Sequence, residues 1–126
     1  MSPTQRTLAL YREKGYSIEV VERWIMGGFV RKDYLGIIDM IAINATETIG
    51  VQSCGQAWSA HIKKITEEGA ASARLWLSCP GRRLILVGWR KLKIKRGGKA
   101  VHFVPREREF SLADFSGRDS PAPVSA

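Results

Sequence analysis

Apolar residues recur along this chain first at helical spacing, then in short runs, then at helical spacing again, and this succession predicts its elements. Ser2-Pro3-Thr4 reads as a helix start, with Ser2 as cap and Pro3 in the first turn. Leu8, Leu10 and Tyr11 supply apolar positions, and Gly15 is a good stop. Tyr16 to Trp24 is rich in β-branched and aromatic residues and reads as a strand, broken by Gly27-Gly28. Leu35 to Ile43 is nearly continuous apolar, as in a central strand covered on both faces. Asn44 to Glu47 can turn, and Thr48 to Cys54 follows as the next strand. Gln56 to Glu68 is read as helix, with Trp58, Ile62 and Ile65 at helical spacing, and a second helix spans Ala70 to Leu77 before Pro80-Gly81. Arg83 to Lys95 reads as a strand bent near Gly88. A hairpin turn centred on Gly97-Gly98 sets Leu92 opposite Phe103 and Ile94 opposite Val101, with Lys93, Lys95 and His102 on the other face. From Ser116 the chain is mostly Ser, Pro, Ala and Gly, and a disordered tail over 116–126 is expected after one domain over 1–115. A helix, three strands, a helix pair and further strands predict an α+β fold.

Asp39 interrupts the most apolar strand in the chain. A buried carboxylate must be ion-paired, hydrogen-bonded or bound to a metal, and the pattern alone leaves these alternatives open. If the Asn44–Glu47 loop is centred between Ala45 and Thr46, Asp39 faces Gln52 across the hairpin, both side chains on one face. Cys54 lies one step further along that face, and Asp33, just before the strand, is within reach of the same end. An oxygen-lined patch of Asp39, Gln52 and Asp33 suits a hard cation such as Mg²⁺ or Mn²⁺, which activates water and stabilises charge on a phosphate under attack.

The stretch RKDYLGIIDMIAI, the following IGVQSC and the helix carrying HIKKI resemble the core of the PD-(D/E)XK nuclease superfamily. The likeness is greatest to its Holliday-junction-resolvase-like branch and related small phage or bacterial proteins. It runs from Thr4 to Lys95 and includes the helix ending EKGY and the later LILVGWRKLKI. The resemblance implies a restriction-endonuclease-like αβββαβ core, a mixed central sheet flanked by helices, and metal-dependent hydrolysis of DNA. It implies Asp39 as the first metal-binding carboxylate and puts Gln52 in the place of the second acidic residue. Cys54 stands where the family carries lysine, and Thr4, Gln5 and Arg6 stand where resolvases often carry a further glutamate. Lys63 or Lys64, on the following helix, is a candidate replacement for the lysine, since the position of the charge matters and not the segment that delivers it. Glu19 and Glu22 fall on opposite faces of an extended strand, and Glu22 is the preferred extra metal ligand. Resolvase-like relatives act as dimers, so a homodimer is implied.

Charge extends this picture. The chain of 126 residues carries a formal net charge of +8, which favours a polyanionic partner, nucleic acid first and an acidic membrane surface second. Arg82, Arg83, Arg90, Lys91, Lys93, Lys95, Arg96 and Lys99 follow one another with no acidic residue between them, a candidate DNA-binding ribbon. Lysines guarding an edge hairpin against aggregation would read the same way. Trp58 and Trp76 sit on apolar helix faces and are expected in the core, whereas Trp89, between Gly88 and Arg90, is the tryptophan most suited to stack on a base. His61 reads as a surface or hydrogen-bonded histidine. His61 and His102 lie far apart with no cysteine pairs near them, which argues against structural zinc. No stretch is long and apolar enough to cross a bilayer. The N-terminal residues carry no apolar run of a secretory leader, so a reducing, cytoplasmic setting with free thiols is expected, the host cytoplasm if the source is viral. The expected function is a metal-dependent DNA endonuclease, with branched or junction DNA as a candidate substrate. The alternatives are a catalytically inactive DNA-binding module on the same fold, and an interaction protein whose basic surface meets an acidic protein.

Overall fold

The computed structural model describes residues 1–25 and 30–115. The Gly27-Gly28 break and the tail over 116–126 lie outside the described residues. Helix α1 (Pro3–Glu13) opens with a capping box: Ser2 Oγ accepts from the Gln5 N–H, and Gln5 Oε1 accepts from the Ser2 N–H, each at 3.1 Å. Such a cap is worth about 1 kcal/mol. Gly15, at φ 93°, turns the chain out of the helix. The elements that follow are β1 (Ser17–Val20), β2 (Arg23–Ile25), β3 (Val30–Lys32), β4 (Met40–Ile43), β5 (Thr48–Cys54), α2 (Trp58–Lys63), α3 (Ala70–Leu77), β6 (Arg82–Lys93) and β7 (Val101–Phe110). A π-helical turn over Lys64–Glu68 joins α2 to α3, and a short 3₁₀ turn over Leu112–Phe115 follows β7.

The protein is α+β. Five strands form a mixed sheet in the order β1-β4-β5-β6-β7, while β2 and β3 pair as a separate ribbon. Only β5 and β6 run parallel, and the helices between them make the crossover that a parallel pair requires. Helix α1 covers one face through Tyr11, against Ile18, Met40, Ala42, Ile49, Val51, Ile85, Val87 and Trp89. The other face is covered by α2, the π turn and α3, with Ile65, Ala73 and Trp76 packed on Ile37, Ile38, Leu84, Leu86 and Phe110. Strand β5 is paired on both sides and covered on both faces, which explains why nearly all of TIGVQSC is buried.

The register expected around Asn44–Glu47 is the observed one. Met40 faces Val51, Ile41 faces Gly50 and Ile43 faces Thr48. Asn44 holds this turn through Oδ1, which accepts from the N–H groups of Thr46 and Glu47, each at 2.9 Å.

Three expectations fail, each at an irregularity of the backbone. Leu35–Ile43 is not one strand. Leu35 (φ 56°) and Gly36 (φ 77°) form a tight turn closed by a Tyr34–Ile38 bridge, and the strand begins at Met40. An apolar run of this length satisfies a turn packed into a core as well as a strand, because its periodicity distinguishes neither. Tyr16–Trp24 is not one strand either: after Val20 pairs with Met40, the N–H groups of Val21 and Glu22 both point at the Asp39 carbonyl, at 2.8 and 3.3 Å. Two residues facing one is a β-bulge, and it breaks the alternation that had set Glu19 and Glu22 on opposite faces. The β6–β7 register differs by one residue. Leu92 faces His102, Lys91 faces Phe103 and Lys93 faces Val101. The loop is odd-numbered, with Ile94 N–H on the Ala100 carbonyl and a turn over Lys95–Gly98 that uses Gly97 at φ 77°. A single-residue slip moves each side chain to the other face, so apolar and basic residues alternate on both faces and the expected apolar face does not form.

Candidate metal centre

The two backbone irregularities beside Asp39 build one cluster. The Leu35-Gly36 turn folds the chain back so that Asp33 returns beside Asp39, and the bulge aims Glu22 at the same place. One carboxylate oxygen from each of Glu22, Asp33 and Asp39 lies within 4.8 Å of the others. Asp39 is buried, and its Oδ2 accepts the Ser53 N–H at 3.0 Å. Burial is the largest influence on its acidity, opposed by that hydrogen bond and reinforced by the charges of Asp33 and Glu22; together they raise its pKa to about 7. A carboxyl that resists ionisation because it is buried, and secondarily because carboxylates surround it, is one that a cation would return to the charged state. The donors are all hard oxygens, which fits Mg²⁺ or Mn²⁺.

Of the two lysines, Lys64 reaches this centre, with Nζ 2.8 Å from Asp33 Oδ2. Lys63 is exposed and takes no part in it. Neighbouring residues on a helix point about 100° apart, and the helix widens at Lys64 into a π turn, a feature that occurs often at functional sites. At the end of this turn Gly69 permits the close approach of Ile37, because a Cβ there would lie 2.2 Å from Ile37 Cγ2.

Gln52 is fully buried and committed within the protein. Its Nε2 donates to the Ile37 carbonyl at 2.6 Å, and its Oε1 lies 2.6 Å from His61 Nδ1. Its carbonyl oxygen is therefore turned to His61. Cys54 is buried on the face covered by α2 and α3, and burial raises its thiol pKa; a thiol carries no positive charge, so it does not replace the lysine that the resemblance implies at this position.

Arg106 brings a positive charge to that neighbourhood from a distant part of the chain. Cys54, Gly88 and Arg106 are successive neighbours across β5, β6 and β7. The Gly88 position is filled by the Trp58 ring, which a Cβ would meet at 2.4 Å, and the Arg106 guanidinium lies 4.1 Å from the centre of that ring. Its Nε is buried and makes no hydrogen bond among the described residues. Sequence reading missed Arg106 because it lies among the alternating charges of PREREF. His61 is hydrogen-bonded, one of the two states expected for it, but its partner Gln52 was not anticipated.

The eight basic residues expected to hold DNA divide in two. Arg83 is held between carboxylates, with Nη2 2.6 Å from Glu109 and Nη1 3.0 Å from Glu47, and Arg82 lies over the Trp76 ring. Arg90, Lys91, Lys93, Lys95, Arg96 and Lys99 are exposed. Trp89 is buried, with Nε1 donating to Thr7 Oγ1 at 2.9 Å, so it is not available for stacking. No protein family, curated protein or solved structure matches the chain.

Proposed function

We propose that this protein is a metal-dependent DNA endonuclease of the PD-(D/E)XK type, built on a restriction-endonuclease-like core and acting on branched or junction DNA. The observation that carries this reading is the convergence of Glu22, Asp33 and Asp39 with Lys64 beside them. The order within the main sheet, α1, three strands, the helices and then β6, agrees with the αβββαβ layout of that superfamily. Glu22, Asp33 and Asp39 would hold a Mg²⁺ or Mn²⁺ ion, with Glu22 supplying the charge that Gln52 lacks. A bound ion would supply an activated water and stabilise charge on the phosphate. Lys64 stands in for the lysine missing at Cys54 and orients the attacking water from the helix side. Gln52 fixes Ile37 and His61 beneath the site and is not a metal ligand in this reading. A second reading, a DNA-binding module without catalysis, is favoured by the commitment of Gln52 to His61 and by the buried thiol at Cys54.

Incubation with labelled four-way junction, duplex and single-stranded DNA in Mg²⁺, Mn²⁺ or EDTA, beside Asp39→Ala, decides between them. Cutting that needs metal and vanishes in the variant supports the nuclease. Salt-sensitive binding without cutting supports the inactive module. The homodimer that junction cleavage calls for is tested by sedimentation with and without a junction. Among the described residues no helix is long and apolar enough to cross a membrane.

A further inference from the structure

Strand β5 ends at Cys54, opposite Gly88, but β6 continues to Lys93. Among the described residues, beyond Gly88 β6 has β7 as its only neighbour in the sheet; Trp89 is still covered by α1 and Arg6 of α1 lies over the Phe103 ring at 3.5 Å, and from there the pair continues outward as a two-stranded arm. The burial pattern follows this topology. Leu84 to Trp89 are buried, whereas on the outgoing strand and loop every residue from Arg90 to Ala100 except Gly98 is exposed, as are Val101, His102 and Phe103 on the return. The arm carries Arg90, Lys91, Lys93, Lys95, Arg96 and Lys99 and no acidic residue. Among the described residues none of these six makes an ion pair.

Both faces of the arm combine cations with apolar side chains. Lys91 and Lys93 lie opposite Phe103 and Val101, and Arg90 and Leu92 lie opposite Val104 and His102. The exposed apolar residues Leu92, Ile94, Val101 and Phe103 are between 39% and 61% accessible. An arm guarded only against strand pairing needs the lysines but gains nothing from exposing these residues. Alternate positions on the Arg90 face lead inward to Arg106 above Trp58, on the side of the sheet that carries α2. The paired part of the arm and its loop extend about 15–20 Å at the usual rise per residue. A two-stranded ribbon fits the major groove, which is about 12 Å wide.

We propose that the β6–β7 arm enters the major groove of duplex DNA, its cations on the flanking phosphates and its apolar side chains against the base edges. This deepens the DNA reading above and rests on it. No arm residue belongs to the carboxylate cluster, so binding through the arm should not require metal. In this account Arg82 and Arg83, at the base of β6, serve the fold and not the ligand.

The test measures binding of the full-length protein to fluorescent duplex DNA, and beside it to four-way junction, in EDTA as a function of salt. The proteins are wild type, Lys91→Ala/Lys93→Ala/Lys95→Ala and the control Arg12→Ala, with circular dichroism confirming that each is folded. The triple variant is expected to bind on the order of tenfold or more weakly, with a salt dependence lower by about three counterions, since each phosphate-contacting lysine contributes about one. The control should bind as wild type does, and methyl green, which occupies the major groove, should compete where netropsin, which occupies the minor groove, should not. A triple variant that binds like wild type, or displacement by netropsin instead of methyl green, overturns the arm proposal and leaves the DNA reading standing. A wild-type protein that binds four-way junction but not duplex overturns the arm proposal alone, and one that binds neither even at low salt overturns both. Arm-dependent binding without metal-dependent cutting supports the arm and removes the nuclease.

Discussion

The side-chain oxygen of Gln52 lies 2.6 Å from Nδ1 of His61, and the nitrogen of the same carboxamide lies 2.6 Å from the Ile37 carbonyl. A backbone carbonyl can only accept, so it fixes which end of the amide faces the histidine and makes Nδ1 the donor. His61→Leu would leave a fully buried oxygen without a partner and should cost about 1–3 kcal/mol. Replacing both partners, Gln52→Leu/His61→Leu, should recover part of that loss, because the buried Gln52 oxygen is no longer stranded, although the Ile37 carbonyl then loses its donor. Urea unfolding of the four proteins measures this, and strictly additive losses would contradict the pairing. Burial, with Lys64 second, lowers the His61 pKa. The unfolded chain therefore takes up this proton first on acidification, and wild-type stability attributable to His61 should fall as pH drops below about 6.5.

Asp39 shifts stability in the opposite sense. Its folded pKa is about 7, against an ordinary 3.8, so the folded protein holds the proton over an interval in which the unfolded chain has lost it. The stability from this group is complete below the lower value and is lost as pH rises to the upper one. Asp39→Asn keeps an acceptor for the Ser53 N–H and removes the charge. In EDTA it should match wild type near pH 4, gain an advantage up to about pH 7 and hold it above, on the order of 1–3 kcal/mol. Mn²⁺ should raise the melting temperature of wild type and not of the variant. A variant less stable than wild type at pH 8 in EDTA would show that Asp39 is already compensated by the protein.

What could be read from the chain follows a physical division. The α1 cap and the β4–β5 register were legible because Ser2, Gln5 and Asn44 act on neighbours two or three residues away, and side-chain chemistry fixes such local geometry. Asp39 was legible as the residue in need of a partner, and Asp33 as one within reach. Glu22 was legible as the preferred extra ligand, but the bulge that turns it to Asp39 was not, because a bulge is an extra backbone residue with no composition of its own. The Leu35-Gly36 turn was hidden for a related reason, since it places a leucine at positive φ where glycine or asparagine would have announced it. Arg83 was assigned to DNA because its partners, Glu47 and Glu109, are far away in sequence and meet it only once β5, β6 and β7 are side by side.

Arg83 and the arm lysines should therefore separate experimentally. Arg83→Ala removes hydrogen bonds to two carboxylates, Glu47 in the turn before β5 and Glu109 on β7, and leaves both without their cation. The site is partly open to solvent, so screening limits the loss; a melting temperature lower by a few degrees is expected, with the salt dependence of DNA binding nearly unchanged. Lysine substitutions in the arm should do the reverse, altering salt dependence and leaving the melting temperature alone. Scanning calorimetry beside binding isotherms reads both. If Arg83→Ala reduced the salt slope as a single arm lysine does, Arg83 would belong to the DNA surface after all.

Lys64 offers the sharpest view of the candidate centre, because a lysine beside three carboxylates has two roles that substitution moves in opposite directions. In the absence of metal its ammonium, 2.8 Å from Asp33, offsets part of the repulsion among Glu22, Asp33 and Asp39. It also competes with a cation for the same oxygens. Lys64→Met keeps the length and apolar stem of the side chain and removes the charge. Mn²⁺ should then bind more tightly, by a few-fold to about tenfold on the scale of one partly screened charge pair, as followed by the loss of the free-ion paramagnetic resonance signal. If Lys64 orients the attacking water, DNA cleavage should nevertheless fall, by on the order of a hundredfold as for a lost proton-transfer or positioning group. Tighter metal with slower cutting marks Lys64 as part of the reaction. Tighter metal with cutting unchanged would reduce it to a counter-charge for the empty carboxylates, and weaker metal would mean that the carboxylates need Lys64 to stay together.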